Sequence, residues 1–97
     1  MAIKKLITNN LFDLNGKTIL FTGGYGHLGK YSVLELSKHG AKVFVLARSK
    51  DKFNKEFKSS NIIFQECDIS ETDSIKNAFK SVSEKVKTLD VLINNAA

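Results

Sequence analysis

The segment that most constrains this chain is Thr22 to Gly29 (TGGYGHLG), a glycine-rich stretch set between two unlike patterns. Before it, Lys17 to Thr22 (KTILFT) is an apolar run without polar alternation, as expected of a strand buried on both faces. After it, Gly26 to His39 carries apolar residues at helical spacing, and Gly40 is a C-terminal stop signal. Gly23, Gly26 and Gly29 are three apart. A turn from buried strand to helix has a distinct use for each: a tight turn at the first, close approach of a ligand to backbone at the second, and tight helix–strand packing at the third. The helix then aims its N-terminal amides and positive dipole end at an anion, which makes the loop a candidate pyrophosphate cradle. Its placement within a strand–turn–helix unit of about 30 residues gives the glycine spacing its weight.

The same alternation continues along the chain. Lys42 to Ala47 (KVFVLA) predicts a second buried strand, rich in β-branched and aromatic residues. Asp51 to Lys58 predicts a short charged helix with Phe53 and Phe57 on one face, and Asn61 to Cys67 (NIIFQEC) a third strand. Ser70 with Asp73 reads as a capping box opening a helix whose Ile75, Phe79, Val82 and Val86 share one face. Asp90 to Ile93 (DVLI) predicts a fourth strand. The order βαβαβαβ implies an α/β fold, a doubly wound parallel sheet with expected strand order 3-2-1-4. Its ligand crevice should lie at the carboxyl ends, where strand order reverses between strands 1 and 4. Strand 4 is left as an apolar edge, a hint that further chain belongs beyond it.

Composition narrows the classes. Ninety-seven residues make one small domain, and 42% apolar with 26% charged residues is ordinary for a globular chain. No apolar run approaches the ~20 residues of a membrane span, and Met1 to Asn10 lacks the core of a signal peptide. Cys67 is the single cysteine, so no internal disulfide forms; it reads as a small buried apolar residue in a reducing, cytoplasmic setting. The net charge of +5 comes from lysines scattered among acidic residues, without the dense basic, aromatic-interleaved block expected of a nucleic-acid surface. His27 and His39 have no partner motif, so no metal site is expected, and they read as a loop residue and a helix-end residue.

With these residues in view, the chain resembles the short-chain dehydrogenase/reductase family over nearly its whole length. The resemblance rests on the lead-in Phe12-Asp13-Leu14-Asn15-Gly16-Lys17, the glycine loop, Cys67-Asp68-Ile69 after strand 3, and Leu92-Ile93-Asn94-Asn95-Ala96-Ala97, which is similar to an Asn-Asn-Ala-Gly signature. It implies the N-terminal, Rossmann-like part of an NAD(P)-binding domain over residues 1–97, with 1–15 as lead-in. The implied activity is hydride transfer between a secondary alcohol or carbonyl and a nicotinamide cofactor, in a full-length parent that is a homo-oligomer. Two departures stand out. His27 occupies a position where single-domain members carry glycine, so the loop spacing resembles the extended branch of sugar-nucleotide epimerases and dehydratases. Asn94-Asn95-Ala96 points back to the single-domain branch, although Ala97 stands where glycine is usual.

The cofactor-contacting residues expected from loop and resemblance together are Gly23, Tyr25, Gly26, His27, Leu28, Gly29, Arg48, Ser49, Asp68, Ile69, Asn94, Asn95 and Ala96. Asp68 is expected at the adenine edge, with a plain acidic cap as the alternative. Asn94 and Asn95 are expected beside the cofactor ribose, Asn94 also bonding neighbouring strand backbone. NAD-preferring chains end strand 2 with an acidic residue that accepts from both ribose hydroxyls. Here Ala47 holds that place and Arg48, the only arginine, follows. A guanidinium binds a 2′-phosphate through a charge-assisted fork, and the Ser49 hydroxyl adds a contact, so NADP is favoured over NAD.

The family's reaction is carried by a serine and a Tyr-x-x-x-Lys pair, the tyrosine moving the proton while hydride transfers. Tyr25 and Lys30 are five apart, and Tyr31 is followed at the fourth position by Glu35, so neither pair qualifies. No catalytic residue is therefore assigned, and the chain alone is expected to be inactive. A stand-alone dinucleotide- or partner-binding module is the rival reading from a different class, and a piece of an extended-branch enzyme the rival within the class.

Overall fold

The computed structural model describes residues 13–23 and 26–95, with the backbone alone at His27. Seven elements follow in chain order: β1 (Thr18–Thr22), α1 (His27–Lys38), β2 (Lys42–Ala47), α2 (Lys50–Glu56), β3 (Ile62–Glu66), α3 (Thr72–Lys85) and β4 (Val91–Asn94). The strands form one parallel sheet in the order β3-β2-β1-β4, as the alternating pattern predicts. Leu20 pairs with Phe44 on one side and Leu92 on the other, so β1 is central and β4 an edge.

Period-two alternation divides the buried residues of β1 and β2 between two layers. Ile19, Phe21, Val43 and Val45 face α1 and α2, packing with Val33, Phe53, Phe57 and Ile62. Leu20, Phe44 and Leu46 face α3, packing with Cys67, Ala78 and Val82. Such double coverage is why these strands read as unbroken apolar runs. Phe53 holds its layer with tilted aromatic contacts, 5.4 Å between ring centroids to Phe57 and 5.5 Å to Phe64.

Helix ends show where local chemistry departs from pattern. Helix α1 stops at Gly40 as predicted, through the paired bonds Ala41 N–H to Leu36 carbonyl and Gly40 N–H to Ser37 carbonyl. Helix α2 is shorter than expected: Phe57 turns to extended backbone, keeping its ring in the core outside the helix. The predicted capping box at α3 does not form. Glu71 is the N-cap and makes no side-chain cap bond, because the Ser70 hydroxyl is drawn back to the Asp68 carboxylate at 2.6 Å. The expected face of α3 is also narrower. Ala78 and Val82 are buried and Ile75 packs beside them, whereas Phe79 lies on the flank and is 41% exposed.

Candidate functional site

The carboxyl ends of β1, β2 and β3 open into a cleft of about 500 Å³. Its walls come from separate parts of the chain: Gly23 after β1, Leu46 to Ser49 at the end of β2, Lys52 on α2, and Cys67 to Ser70 after β3. Five of the residues predicted from sequence meet here, namely Gly23, Arg48, Ser49, Asp68 and Ile69. Gly26, Leu28 and Gly29 belong to the start of α1, and Asn94 and Asn95 to the end of β4; none of these five lines this cleft. Tyr25 and Ala96 lie outside the described residues, as does the side chain of His27.

Gly23 and Gly29, at the two ends of the glycine stretch, meet the conformational and packing demands of the spacing. Gly23 has φ of 72°, a left-handed conformation that side chains rarely adopt. A Cβ on Gly29 would fall 2.4 Å from the Gly23 carbonyl oxygen and 2.8 Å from Asn95 Nδ2, so the third glycine is where helix and loop touch. At Gly26 a Cβ would meet nothing within 4 Å among the described residues. Gly26 caps α1 through its backbone, its carbonyl accepting from Lys30 N–H at 2.8 Å. No protein contact described here demands glycine at position 26, whereas close approach of a ligand to backbone would.

On the far wall, strand β2 delivers Arg48 to the rim, and Ser49 is the N-cap of α2, its hydroxyl accepting from Lys52 N–H at 3.2 Å. Ser49 thus has a structural duty beside any contact to a ligand. Asp68 forms a turn of its own: one carboxylate oxygen accepts from Ser70 N–H at 3.0 Å and from the Ser70 hydroxyl. Its amide donates to Ser74 Oγ at 2.8 Å. The Ser70 hydroxyl and amide hold the Asp68 carboxyl below the usual carboxylate range, with the positive charge of Arg48 acting the same way. Cys67, 2% exposed, sits between this cleft and a smaller apolar hollow of about 240 Å³ lined by Ile75, Phe79 and Leu92. Burial pushes its thiol pKa up, the opposite of an activated nucleophile.

The expected asparagine pair joins β4 to β1. Thr22 Oγ1 donates to Asn94 Oδ1 at 2.9 Å and accepts from Asn95 N–H at 3.1 Å, and Asn95 Nδ2 donates to the Gly23 carbonyl at 3.2 Å. The Asn94 side chain thus reaches the neighbouring strand through the Thr22 hydroxyl. Two contributors stand outside the expected contact residues. Thr22 carries the junction, and its signal is a polar residue ending an apolar strand. Lys52 lines the cleft, and its signal is its place four residues after Arg48. Among the described residues no group of His, Cys, Asp and Glu is arranged to hold a metal, and no helix is long and apolar enough to cross a membrane.

With this geometry in place, comparison with known proteins is specific. The family model for short chain dehydrogenase matches residues 17–97. An uncharacterized oxidoreductase of Schizosaccharomyces pombe is 36% identical over 95 residues, which cover 91% of this chain and 28% of that protein. The 15-hydroxyprostaglandin dehydrogenase [NAD(+)] of Mus musculus is 30% identical over 90 residues, covering 86% of this chain and 34% of its own length. Among solved structures, a short chain dehydrogenase from Bacillus anthracis superposes with a TM-score of 0.74 at 32% identity, covering 84% of this chain and 35% of that one. The chain thus spans about a third of the length of the relatives it matches.

Proposed function

Because the chain belongs to the short-chain dehydrogenase family, whose members use nicotinamide dinucleotides, we propose that it holds the adenosine end of NADP in a hydride-transferring oxidoreductase. The observation that carries this reading is the cleft at the carboxyl ends of β1, β2 and β3, where Gly23, Arg48, Ser49 and Asp68 converge. In this reading the pyrophosphate rests on the amides that open α1, and open space at Gly26 admits it. The adenine enters beside Asp68 and Ile69, and the Arg48 guanidinium takes the 2′-phosphate through a charge-assisted fork. Asn94 and Asn95, fixed by Thr22, stand near the ribose on the β4 side.

When bound, the nicotinamide supplies or accepts the hydride, and the substrate is a secondary alcohol or its carbonyl partner. This chain's own residues bind and orient the cofactor; none of them is assigned to proton transfer. Residues 17–97 are on this view the nucleotide-binding front of a domain whose catalytic tyrosine and lysine lie elsewhere in the protein.

The test is a titration of the protein with NADPH and NADH before and after Arg48→Ala. Loss of a charged fork should weaken NADPH by roughly 10- to 100-fold and NADH by far less. Equal losses for the two cofactors would sink the assignment of Arg48 and, with it, the preference for NADP.

A further inference from the structure

The lead-in to β1 takes no part in the cleft, yet it holds the only asparagine of the chain that is followed by glycine, Asn15-Gly16. Residues 14–17 form a reverse turn: Lys17 N–H donates to the Leu14 carbonyl at 3.0 Å, and Gly16 has a φ of 81°. A positive φ at the second central residue of such a turn favours glycine. The Asp13 carboxylate accepts from Asn15 N–H at 2.9 Å and orients the residue before the glycine.

The two groups of this pair that could react with each other are both uncommitted. Asn15 is exposed, and its side-chain amide makes no hydrogen bond among the described residues. The Gly16 N–H, next along the chain, has no acceptor among them either. A Cβ on Gly16 would meet nothing within 4 Å, so water reaches the pair freely. At the other described asparagines one condition or the other fails. Asn61 is bonded to Ser37, Ser59 and the Ala41 carbonyl, while Asn94 and Asn95 are held by Thr22 and Gly23. Asn54 and Asn77 lie inside α2 and α3, where the following amide is spent on a helical hydrogen bond.

We propose that Asn15-Gly16 is a site of spontaneous covalent modification, at which Asn15 loses ammonia through a cyclic imide and becomes aspartate or isoaspartate. The Gly16 nitrogen gives its proton to hydroxide and attacks Asn15 Cγ. That C–N bond forms as the Cγ–Nδ2 bond breaks, and Nδ2 leaves as ammonia with a proton from water. Water then opens the imide. Opening at the side-chain carbonyl gives aspartate, and opening at the main-chain carbonyl leaves the backbone running through Cβ and Cγ as isoaspartate. Water is the only co-reactant and no electron is transferred. Closing the ring needs rotation of the Asn15-Gly16 peptide, which a single turn hydrogen bond spans.

Its place gives the change a structural consequence. Leu14 N–H donates to the His39 carbonyl at 2.8 Å and Lys42 N–H to the Lys17 carbonyl at 2.9 Å, so the turn is anchored to the end of α1 and the start of β2. The Asn15 side chain lies over Gly40, where a Cβ would run into its oxygen. Modification sets a carboxylate against the negative end of α1. Isoaspartate also adds one carbon to the backbone between the two anchors.

The inference is independent of the cofactor reading. The protein and its Gly16→Asn variant are aged in mildly alkaline and mildly acidic buffer, and peptide mass spectrometry with electron-transfer fragmentation follows every asparagine. Asparagine tolerates the left-handed backbone that position 16 requires, so the turn is retained. Asn15 should convert before any other asparagine, faster in the alkaline sample, with both isoaspartate and aspartate as products. Gly16→Asn should slow the conversion several-fold. Thermal unfolding should give the isoaspartate-rich fraction a lower Tm than fresh protein and than Asn15→Asp, which carries the charge without the longer backbone. Prior conversion at another asparagine overturns the site, and aspartate as the sole product overturns the imide route. Equal rates in Gly16→Asn overturn the part given to Gly16. An isoaspartate fraction that melts like fresh protein overturns the anchoring of the turn.

Discussion

Strands β1 and β4 lie side by side in one sheet, yet different forces hold them. Every residue of β1 is buried, with strands on both sides and helices on both faces. In β4 the equivalent apolar residues Val91 and Leu92 are 43% and 52% exposed. The attachment of β4 is clipped by polar groups at both ends. At the start, Thr18 N–H donates to Asp90 Oδ2 at 2.8 Å and Asp90 N–H to the Thr18 carbonyl at 2.9 Å. At the finish, Thr22, Asn94, Asn95 and Gly23 form the junction described above. In β4 only Ile93 packs against the core, so burial contributes less there than in β1 and hydrogen bonds at its two ends carry more of the attachment.

The largest effects should come from the covered strands. Phe44, 1% exposed against α3, should cost about 3–5 kcal/mol on substitution by alanine. Leu92→Ala, one strand past β1, should cost about 1 kcal/mol or less, because half of that side chain already meets solvent. Denaturant midpoints of the two variants measure the contrast directly, and similar losses would mean that β4 is covered in solution.

Next in size is the glycine loop, where two glycines should behave in opposite ways. Gly29→Ala drives a methyl group into the Gly23 carbonyl and the Asn95 amide, the point where loop, helix and β4 meet. A stability loss of about 1–3 kcal/mol is expected from such overpacking. Gly26→Ala meets open space at an ordinary φ of −65°, so stability should hold within about 0.5 kcal/mol while dinucleotide affinity falls. Thermal unfolding paired with cofactor titration resolves the two, and unchanged affinity in Gly26→Ala would remove the pyrophosphate from the start of α1.

Much of this was legible in the sequence because periodicity reports burial. The runs ILF and VFVL signal double coverage, and the strand order follows from parallel strands joined by helices. What escaped has local causes. Ser70 has the composition of a helix cap, but the neighbouring Asp68 competes for its hydroxyl, a choice that spacing does not reveal. Phe79 fits a four-residue spacing from Ile75, yet the helix turns it to the flank and buries small Ala78 instead. Among the site residues, Arg48 stands out by rarity and Lys52 is hidden among many lysines until the fold places it across the cleft.

The polar clip on β4 should yield an intermediate effect. Thr22→Val keeps shape and burial but removes the hydroxyl that donates to Asn94 and accepts from the Asn95 amide. A loss of about 1–2 kcal/mol is expected, because two partly buried groups lose their partner at once. Amide hydrogen exchange should localise it: protection should fall across β4 and hold in β2. Uniform loss across the sheet would show that β4 is not separately clipped.

The smallest effect tests the far side of the cleft, where Asp68 is held by Ser70 and not by burial. A carboxyl whose pKa lies below its unfolded value stabilises the fold fully above the unfolded pKa, about 4 for aspartate, and stops doing so as pH falls through the folded value. The Asp68 contribution is therefore present at neutral pH and disappears only in acid. Asp68→Asn removes this titration, and its stability should fall less steeply than wild type below about pH 4. The carboxyl is only partly covered, so the difference should be small and should shrink in Ser70→Ala, which takes away the hydroxyl that is the largest single cause of the shift. If wild type and Asp68→Asn lose stability in parallel through the acid range, the Ser70 turn is not what holds the carboxylate. The cleft would then offer its one negative charge free to an incoming adenine.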